Sequence, residues 1–200
     1  MDVGKSFTYV FDDEQWLSKV LMGALFSLLS IFLVGIPFVV GYAVEVVANV
    51  RKGVERPLPA WDNLGDKFRD GLLLSIGFLV YMLPFLIIYC PYIFLAAVSG
   101  DGSAARDALG LLSLCLLCLA LVWAIIVSLL SPAIYIRFAQ TRELGSIFRF
   151  SDIIGFTTKN LGPVIVAILL AWVAAIVGSL VGLLLCGIGV FVTSFWVMLV

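Results

Sequence analysis

Residues 160–200 read NLGPVIVAILLAWVAAIVGSLVGLLLCGIGVFVTSFWVMLV, an apolar stretch of 41 residues without a charged side chain. As one α-helix it would be about 60 Å long, twice the roughly 30 Å hydrocarbon core of a bilayer. It cannot therefore be a single membrane span. The Cys186-Gly187-Ile188-Gly189 step is the natural break. We predict a span from about Leu161 to Leu185 and a further apolar C-terminal element that begins near Val190.

Long apolar stretches alternate with short charged islands along the whole chain. The 12 Lys and Arg and the 13 Asp and Glu residues all fall within residues 2–19, 45–70, 101–107 and 137–159. Three more charge-free stretches lie between these islands, at residues 20–44, 71–100 and 108–136. Each exceeds the roughly 20 apolar residues that cross a bilayer. The pattern predicts an all-α fold, a polytopic transmembrane helical bundle with four long kinked spans in one integral-membrane domain, residues 1–200.

Composition narrows the classes of function. The chain is 63% hydrophobic and 12% charged, against about 45–50% and 25% in soluble domains. A net charge of -1 argues against a nucleic-acid partner, which needs a basic face. The sequence has no His, the commonest metal ligand and proton shuttle. We assign no catalytic, cofactor-binding or metal-ligating residue and expect no cofactor and no enzymatic activity.

Prolines mark the expected kinks at Pro37, Pro84, Pro91 and Pro132, because proline lacks an N–H and clashes with the preceding helical turn. Kinked packing is favoured over discontinuous ligand-binding helices, which usually carry intramembrane polar groups. Pro37 leaves an alternative open, in which the first segment turns back as a re-entrant hairpin.

The charged islands predict orientation. The islands at 45–70 and 137–159 hold most of the Lys and Arg residues, so the positive-inside rule places both in the cytoplasm. With one crossing for each of the first three apolar stretches, the N-terminus and the 101–107 loop lie outside. The expected location is the inner (plasma) membrane of the cell, crossed several times.

Both basic islands contain an amphipathic pattern, with Leu58, Trp61, Leu64 and Phe68 in one and Leu144, Ile147 and Phe148 in the other. We predict two interfacial segments in the headgroup plane; a lipid-selective or partner-docking surface is the alternative. A D-x-x-G step in each, Asp62 to Gly65 and Asp152 to Gly155, suggests a weak internal repeat of about residues 20–100 and 108–200.

Glu45 and Arg137 occupy related positions after Pro37 and Pro132. They are interpreted as interface residues whose charged ends reach toward water. The alternative is an ion pair that joins the two repeats.

Small residues recur at helical spacing in the last two predicted spans. The rows are Ala167, Ala171, Ala175 and Ser179; Ala174, Gly178, Gly182 and Cys186; and Ala120, Ala124 and Ser128. Such rows let helix backbones approach closely, either within the chain or at a partner, and predict that the fourth span is enclosed by protein. Cys115 and Cys118 have dithiol spacing, but in a charge-free run they are interpreted as small packing residues, since a reactive thiol needs a nearby cation or helix N-terminus.

Three segments resemble a known family. They are MDVGKSFTYVFDDEQWLSK at 1–19, GIPFVVGY at 35–42, and RPLPAWDNLGDKFRDGL at 56–72, followed by Tyr81 and Pro84. Together they resemble a prokaryotic integral-membrane family catalogued as domain of unknown function, number 4013. The resemblance implies a compact helical membrane domain and supplies no activity. It also implies a polar tail after the last helix, so we expect the natural chain to continue past Val200.

The leading hypothesis is a non-enzymatic structural or accessory subunit of a larger membrane assembly. Its partners would be membrane lipid and other transmembrane subunits, bound through the small-residue faces. A transporter or channel for an apolar or lipid-like substrate is the alternative, and a membrane thiol-redox enzyme is the third possibility.

Overall fold

A computed structural model describes residue 4 and residues 8–98, 103–184 and 189–199 of the chain. Within these ranges the regular elements are all helices. The α-helices are α1 (Trp16–Leu29), α2 (Gly35–Arg51), α3 (Leu64–Val98), α4 (Ser103–Thr141), α5 (Phe150–Lys159), α6 (Leu161–Leu184) and α7 (Gly189–Leu199). Two short 3-10 helices, Ser30–Phe32 and Leu144–Phe148, follow α1 and α4. The all-α prediction is confirmed.

Three helices in the described part of the chain are long and apolar enough to cross a membrane, rather than the predicted four. They cover Leu64–Phe94, Leu109–Thr141 and Leu161–Leu184. The helices α3 and α4 continue through Pro84, Pro91 and Pro132.

The predicted first span is instead a helical hairpin. Leu33 has a left-handed backbone with φ of 65°, which ends the 3-10 helix after α1 and reverses the chain into α2. The turn lies before Pro37, not at it. Pro37 occupies the first turn of α2, where the missing N–H has no intrahelical partner to lose. The re-entrant alternative therefore describes this segment better than a span does.

The most enclosed helix is α2, which contributes to two hydrophobic cores. Its Val44 joins a core with α3, α4 and α5 that includes Leu74, Phe138 and Ile153. Its Tyr42 and Val46 join a second core that includes Val10, Val20, Leu58, Phe195 and Leu199. The second core ties the hairpin to α7 and to the segment before α1. The fold is thus built around a helix too short to appear among the three candidate spans.

The segment before α1 lies at the same end of the bundle as the 45–70 island. Lys19 Nζ donates to Asp13 at 2.6 Å and to the Leu58 carbonyl at 2.7 Å, and Arg56 pairs with Glu14 at 2.8 Å. The prediction that the N-terminus lies opposite this island is therefore wrong. The hairpin explains the error, because a stretch that turns back begins and ends on one side.

Tyr9 closes the same end of the bundle. Its hydroxyl donates to the Leu199 carbonyl at 2.5 Å. Burial raises the pKa of Tyr9 to about 12, so the phenol keeps its proton and its donor role at neutral pH.

The last apolar stretch is divided between α6 and α7, which pack against each other as antiparallel helices. A Cβ on Gly178 would lie 2.8 Å from a methyl of Val197, and one on Gly182 would lie 2.7 Å from both the Thr193 hydroxyl and the Val190 Cα. The Ala174, Gly178 and Gly182 row is therefore an internal packing face, as one of the two interpretations predicted. Cys186 and the proposed break around it lie outside the described residues.

The prediction that the fourth span is enclosed by protein is wrong within the described chain. Only Val164, Ala174, Gly178 and Gly182 of α6 are buried, because α7 covers a single face. The other row of small residues on α6 is covered less. Its members Ala167, Ala171 and Ala175 are half-buried, and Ser179 is exposed.

Neither predicted interfacial segment forms an α-helix of its own. Leu58 and Trp61 are in a loop, and Leu64 begins the long helix α3. The second segment forms the 3-10 helix Leu144–Phe148, whose Ile147 packs on Gly77. Since Gly77 is near the middle of the 64–94 helix, this segment lies along the span and not at its end.

Candidate functional site

A cluster of charged side chains joins α2, α3 and the end of α4. We call Glu45, Asp62, Lys67, Asp70 and Arg142 the charged junction. Lys67 is its centre and is only 3% exposed. Its Nζ lies 2.8 Å from the Glu45 carboxylate and 3.5 Å from that of Asp62, and it donates to the Asp62 carbonyl at 2.9 Å. These contacts compensate the cost of burying an ammonium group.

The second pair of the junction connects α3 to the residue that follows α4. Arg142 lies 2.8 Å from the Asp70 carboxylate, and Asp70 is 6% exposed. The backbone of Arg142 is left-handed, with φ of 52°, and its N–H donates to the Phe138 carbonyl at 2.7 Å. The turn that ends α4 therefore places the guanidinium beside Asp70.

A further polar contact joins α2 to α4 beside the junction. With the Gln140 amide oxygen facing α2, it accepts from both terminal nitrogens of Arg51, at 2.9 and 3.0 Å. Three helices are thus joined by polar contacts at one end of the bundle.

The junction depends on a close approach of α2 and α3. Gly41 and Gly71 have no room for a side chain: a Cβ on Gly41 would overlap the Lys67 carbonyl, and one on Gly71 would overlap the Pro37 carbonyl. Glycine at both positions lets the backbones touch.

A small polar cavity of about 60 Å³ opens at the junction, lined by Gly41, Glu45, Asn63, Asp66, Lys67, Asp70 and Arg142. Four of its charged residues are paired, Glu45 with Lys67 and Asp70 with Arg142. Among the described residues, no three His, Cys, Asp or Glu side chains converge in a way that could hold a metal ion. The geometry fits a charged lock between helices better than a reactive centre.

The proposed ion pair between Glu45 and Arg137 is wrong. Glu45 binds Lys67, and Arg137 lies 3.2 Å from Asp152 on α5. Each charge therefore has a partner from its own half of the chain, and Asp70 with Arg142 joins the two halves instead. The sequence predicted an interfacial segment in the headgroup plane here, because its amphipathic spacing gave no sign that α2 lies against Lys67.

The acidic run at 12–14 contains one buried carboxylate, that of Asp13. Asp13 is buried beside Lys19. Burial acts to raise the pKa of its carboxyl, but the hydrogen bonds from Lys19 and the Gln15 N–H and the nearby charges of Lys19 and Arg56 outweigh this effect and lower the pKa below 3.8. The Asp13 carboxylate therefore holds the N-terminal segment against the hairpin.

A second cavity, which we call the aromatic cavity, lies between α3, α4 and the segment 148–150. Its volume is about 190 Å³, and it is lined by Val80, Tyr81, Pro84, Trp123, Ile126, Val127, Leu130, Phe148 and Phe150. Tyr81 donates its hydroxyl to the Ile147 carbonyl at 2.8 Å, and Trp123 Nε1 donates to the Tyr81 carbonyl at 2.9 Å. Because these polar atoms are satisfied, the walls of the cavity are apolar.

The three cysteines in the described part of the chain lie at the surface of their helices. Cys90, Cys115 and Cys118 are free thiols, and all three are exposed. Cys115 and Cys118 lie one helical turn apart on α4, a helix that leaves most of its surface uncovered. The interpretation of this pair as buried packing residues is therefore wrong.

Comparison with known proteins gives a family and no activity. No curated protein and no solved structure matches the chain. The family model described as "Protein of unknown function (DUF4013)" matches residues 24–187, which include the GIPFVVGY and RPLPAWDNLGDKFRDGL segments. With most of its length matched, the chain belongs to the DUF4013 family of proteins of unknown function.

Proposed function

We propose that this protein is a non-enzymatic, multi-pass structural or accessory subunit of a larger assembly in the plasma membrane. The observation that carries the proposal is the uncovered face of α6. Trp172 is 62% exposed and Leu184 is 83% exposed, and half-buried Ala171 and Ala175 lie on the same helix. Small residues among large apolar ones let a second helix approach closely in a bilayer.

The charged residues support a structural role. Those of the junction bind one another, and Lys19 binds Asp13 and the 58–59 loop. Such contacts position helices, and they leave α4 and α6 as the surfaces free to meet lipid or a partner. With the N-terminal segment and both basic islands at one end of the bundle, that end is the cytoplasmic one under the positive-inside rule.

Purification of the natural full-length protein in mild detergent tests this proposal. We expect it to elute with other membrane proteins. Ser179→Phe should release them, because Ser179 is exposed on the same face as Trp172 and a bulky side chain there separates the helices. Leu169→Phe is the matched control, since Leu169 is exposed on the same helix and already large. A monodisperse monomer that brings no partner through gentle purification would contradict the proposal.

The aromatic cavity favours a second candidate, a carrier for an apolar or lipid-like substrate. Its lining needs no charged group to accept such a molecule. A carrier should exchange fluorescent lipid between leaflets of proteoliposomes, and Val127→Phe, which fills the cavity, should slow that exchange. Equal rates with and without protein would dismiss the carrier and leave the subunit proposal untouched.

A further inference from the structure

We infer that the aromatic cavity and Arg149 together bind one anionic phospholipid, with an acyl chain in the cavity and the phosphate on the guanidinium. This inference is independent of the subunit proposal, since a lipid can be held by a free monomer or by a subunit. It rests on two separate observations, the position and lining of the cavity and the position of Arg149.

The cavity lies beside the middle of two candidate spans. Tyr81 is two residues past the midpoint of the Leu64–Phe94 helix, and Trp123 and Val127 flank the midpoint of Leu109–Thr141. In a membrane crossed by these helices, the cavity is therefore surrounded by acyl chains and not by water. Its volume of about 190 Å³ exceeds the ~150 Å³ apolar cavity that stays dry and takes up benzene. A segment of hydrocarbon chain fits such a space.

Arg149 lies directly between Phe148 and Phe150, which both line the cavity. The 3-10 helix carries it to this depth: Ile147 packs on Gly77 and accepts the hydrogen bond from Tyr81. Tyr81 lies 11 residues, about 16 Å, beyond Asp70 of the charged junction. The apolar stretches themselves contain no charged residue. Arg149 belongs to the charged island at 137–159, so a charge count along the apolar stretches does not reveal a charge at mid-span.

The guanidinium of Arg149 needs an anion, and no described residue supplies one in an ion pair. Its nearest basic neighbours are paired, Arg137 with Asp152 and Arg142 with Asp70. Arg149 is exposed and forms no ion pair with any residue in the described part of the chain. A charged side chain at membrane depth is costly unless it is paired or reaches the interface. An anion from the surrounding membrane satisfies it.

A phospholipid combines the two chemistries in one molecule. Its chain satisfies the apolar cavity, and its phosphate offers oxygens to the forked guanidinium. The long arginine side chain extends toward the headgroup region, so one lipid can meet both. An anionic headgroup is preferred over a zwitterionic one, which carries its own ammonium counter-charge.

Trp123 provides a probe inside the cavity. The full chain is purified in detergent and mixed with phosphatidylglycerol or phosphatidylcholine that carries brominated acyl chains, which quench tryptophan on contact. The quenching of Trp123 is the difference between the wild-type protein and Trp123→Phe, since the other tryptophans are common to both. We expect half of the Trp123 quenching to occur at a lower concentration of phosphatidylglycerol than of phosphatidylcholine, by on the order of fivefold.

Charge variants test the role of Arg149. Arg149→Gln should abolish the headgroup preference and Arg149→Lys should keep most of it. Lys159→Gln is the matched control, because Lys159 is also exposed and ends the same helix that Arg149 precedes. Ile126→Phe should weaken the quenching by both lipids by narrowing the cavity. Gel filtration and thermal unfolding verify that each variant remains folded.

Three results would overturn the inference. The first is equal quenching of Trp123 by both lipids in the wild-type protein. The second is an undiminished preference in Arg149→Gln. The third is a loss in Lys159→Gln as large as that in Arg149→Gln, which would show general attraction to a basic surface.

Discussion

Lys67 on α3 lies 2.8 Å from Glu45 on α2, and its ammonium group is almost fully buried at the contact. Without Lys67, the Glu45 carboxylate, whose side chain is 32% exposed, keeps partial contact with water, so the loss of its partner costs about 1–3 kcal/mol. Lys67→Met should therefore destabilise the protein by an amount in that range. Thermal or denaturant unfolding in detergent measures it.

Arg69→Met is the control for Lys67→Met. Arg69 is two residues away on the same helix and is exposed, so its loss should change stability by no more than about 0.5 kcal/mol. Equal destabilisation by the two variants would show that the contact between Lys67 and Glu45 is unimportant.

Gly71→Ala should separate α2 from α3. The added Cβ would overlap the Pro37 carbonyl, and since that atom is backbone, a whole helix must shift. Overpacking of this kind costs about 1–3 kcal/mol or more. In Gly65→Ala, the control, the new methyl meets nothing within 4 Å and alanine favours the helix. Unfolding measurements that rank these two variants equally would contradict the close approach.

Thiol labelling tests the arrangement of the ends. In a cysteine-free background, Asp12→Cys and Lys159→Cys should react with an impermeant maleimide added to the same side of the membrane. Ile31→Cys, near the tip of the hairpin, should resist that reagent from both sides because the tip stays within the bilayer. Labelling of residues 12 and 159 from opposite sides would show that the first apolar stretch crosses the membrane and does not turn back as a hairpin.

Acid should release the N-terminal segment through Asp13. Its pKa is below 3.8 in the folded protein, so the folded state binds this proton less readily than the unfolded chain does. The stabilisation by Asp13 is present above pH 3.8 and is lost as the pH falls through the lower folded-state pKa. Limited proteolysis ahead of Trp16 should accelerate in that window. Asp13→Asn should show fast cleavage already at neutral pH, whereas Asp12→Asn, at an exposed site, should behave as the wild type does.

The exposed thiols predict a reactivity pattern. Cys115 and Cys118 lie in the first third of the Leu109–Thr141 span, within a charge-free stretch, and on its exposed surface. They should react with a membrane-soluble maleimide and stay untouched by a charged one in intact membranes. Fast thiol labelling needs a nearby cation or a helix N-terminus, and neither thiol lies in a charged stretch, so labelling should be slow. Rapid reaction with the charged reagent would revive the thiol-redox interpretation.

The apolar stretches of sequence predicted the long helices well, because a charge-free run of more than 20 residues has few alternatives to a helix in lipid. Prediction failed where a single residue or a distant neighbour decides the structure. The left-handed Leu33 is an ordinary residue in an apolar run, so the sequence suggested a reversal only at Pro37 and could not locate it at Leu33.

Tertiary contacts decide the candidate sites. Lys67 has the spacing of a surface residue, and only the approach of α2 at Gly41 buries it. Arg149 belongs to a charged island, and only the packing of Ile147 on Gly77 carries it to the middle of α3. Hydropathy and charge counts treat each segment alone, so they detect neither the burial of Lys67 nor the depth of Arg149.

The reversal at Leu33 also bears on how the protein enters its membrane. A helix that crosses the bilayer must send one flanking segment through it, together with that segment's charges. The α1–α2 hairpin begins beside Lys19 and returns to Glu45 and Arg51 at the same end, so only the uncharged turn around Leu33 penetrates. In the proposed topology, residues 8–51 therefore insert without translocating a charged group.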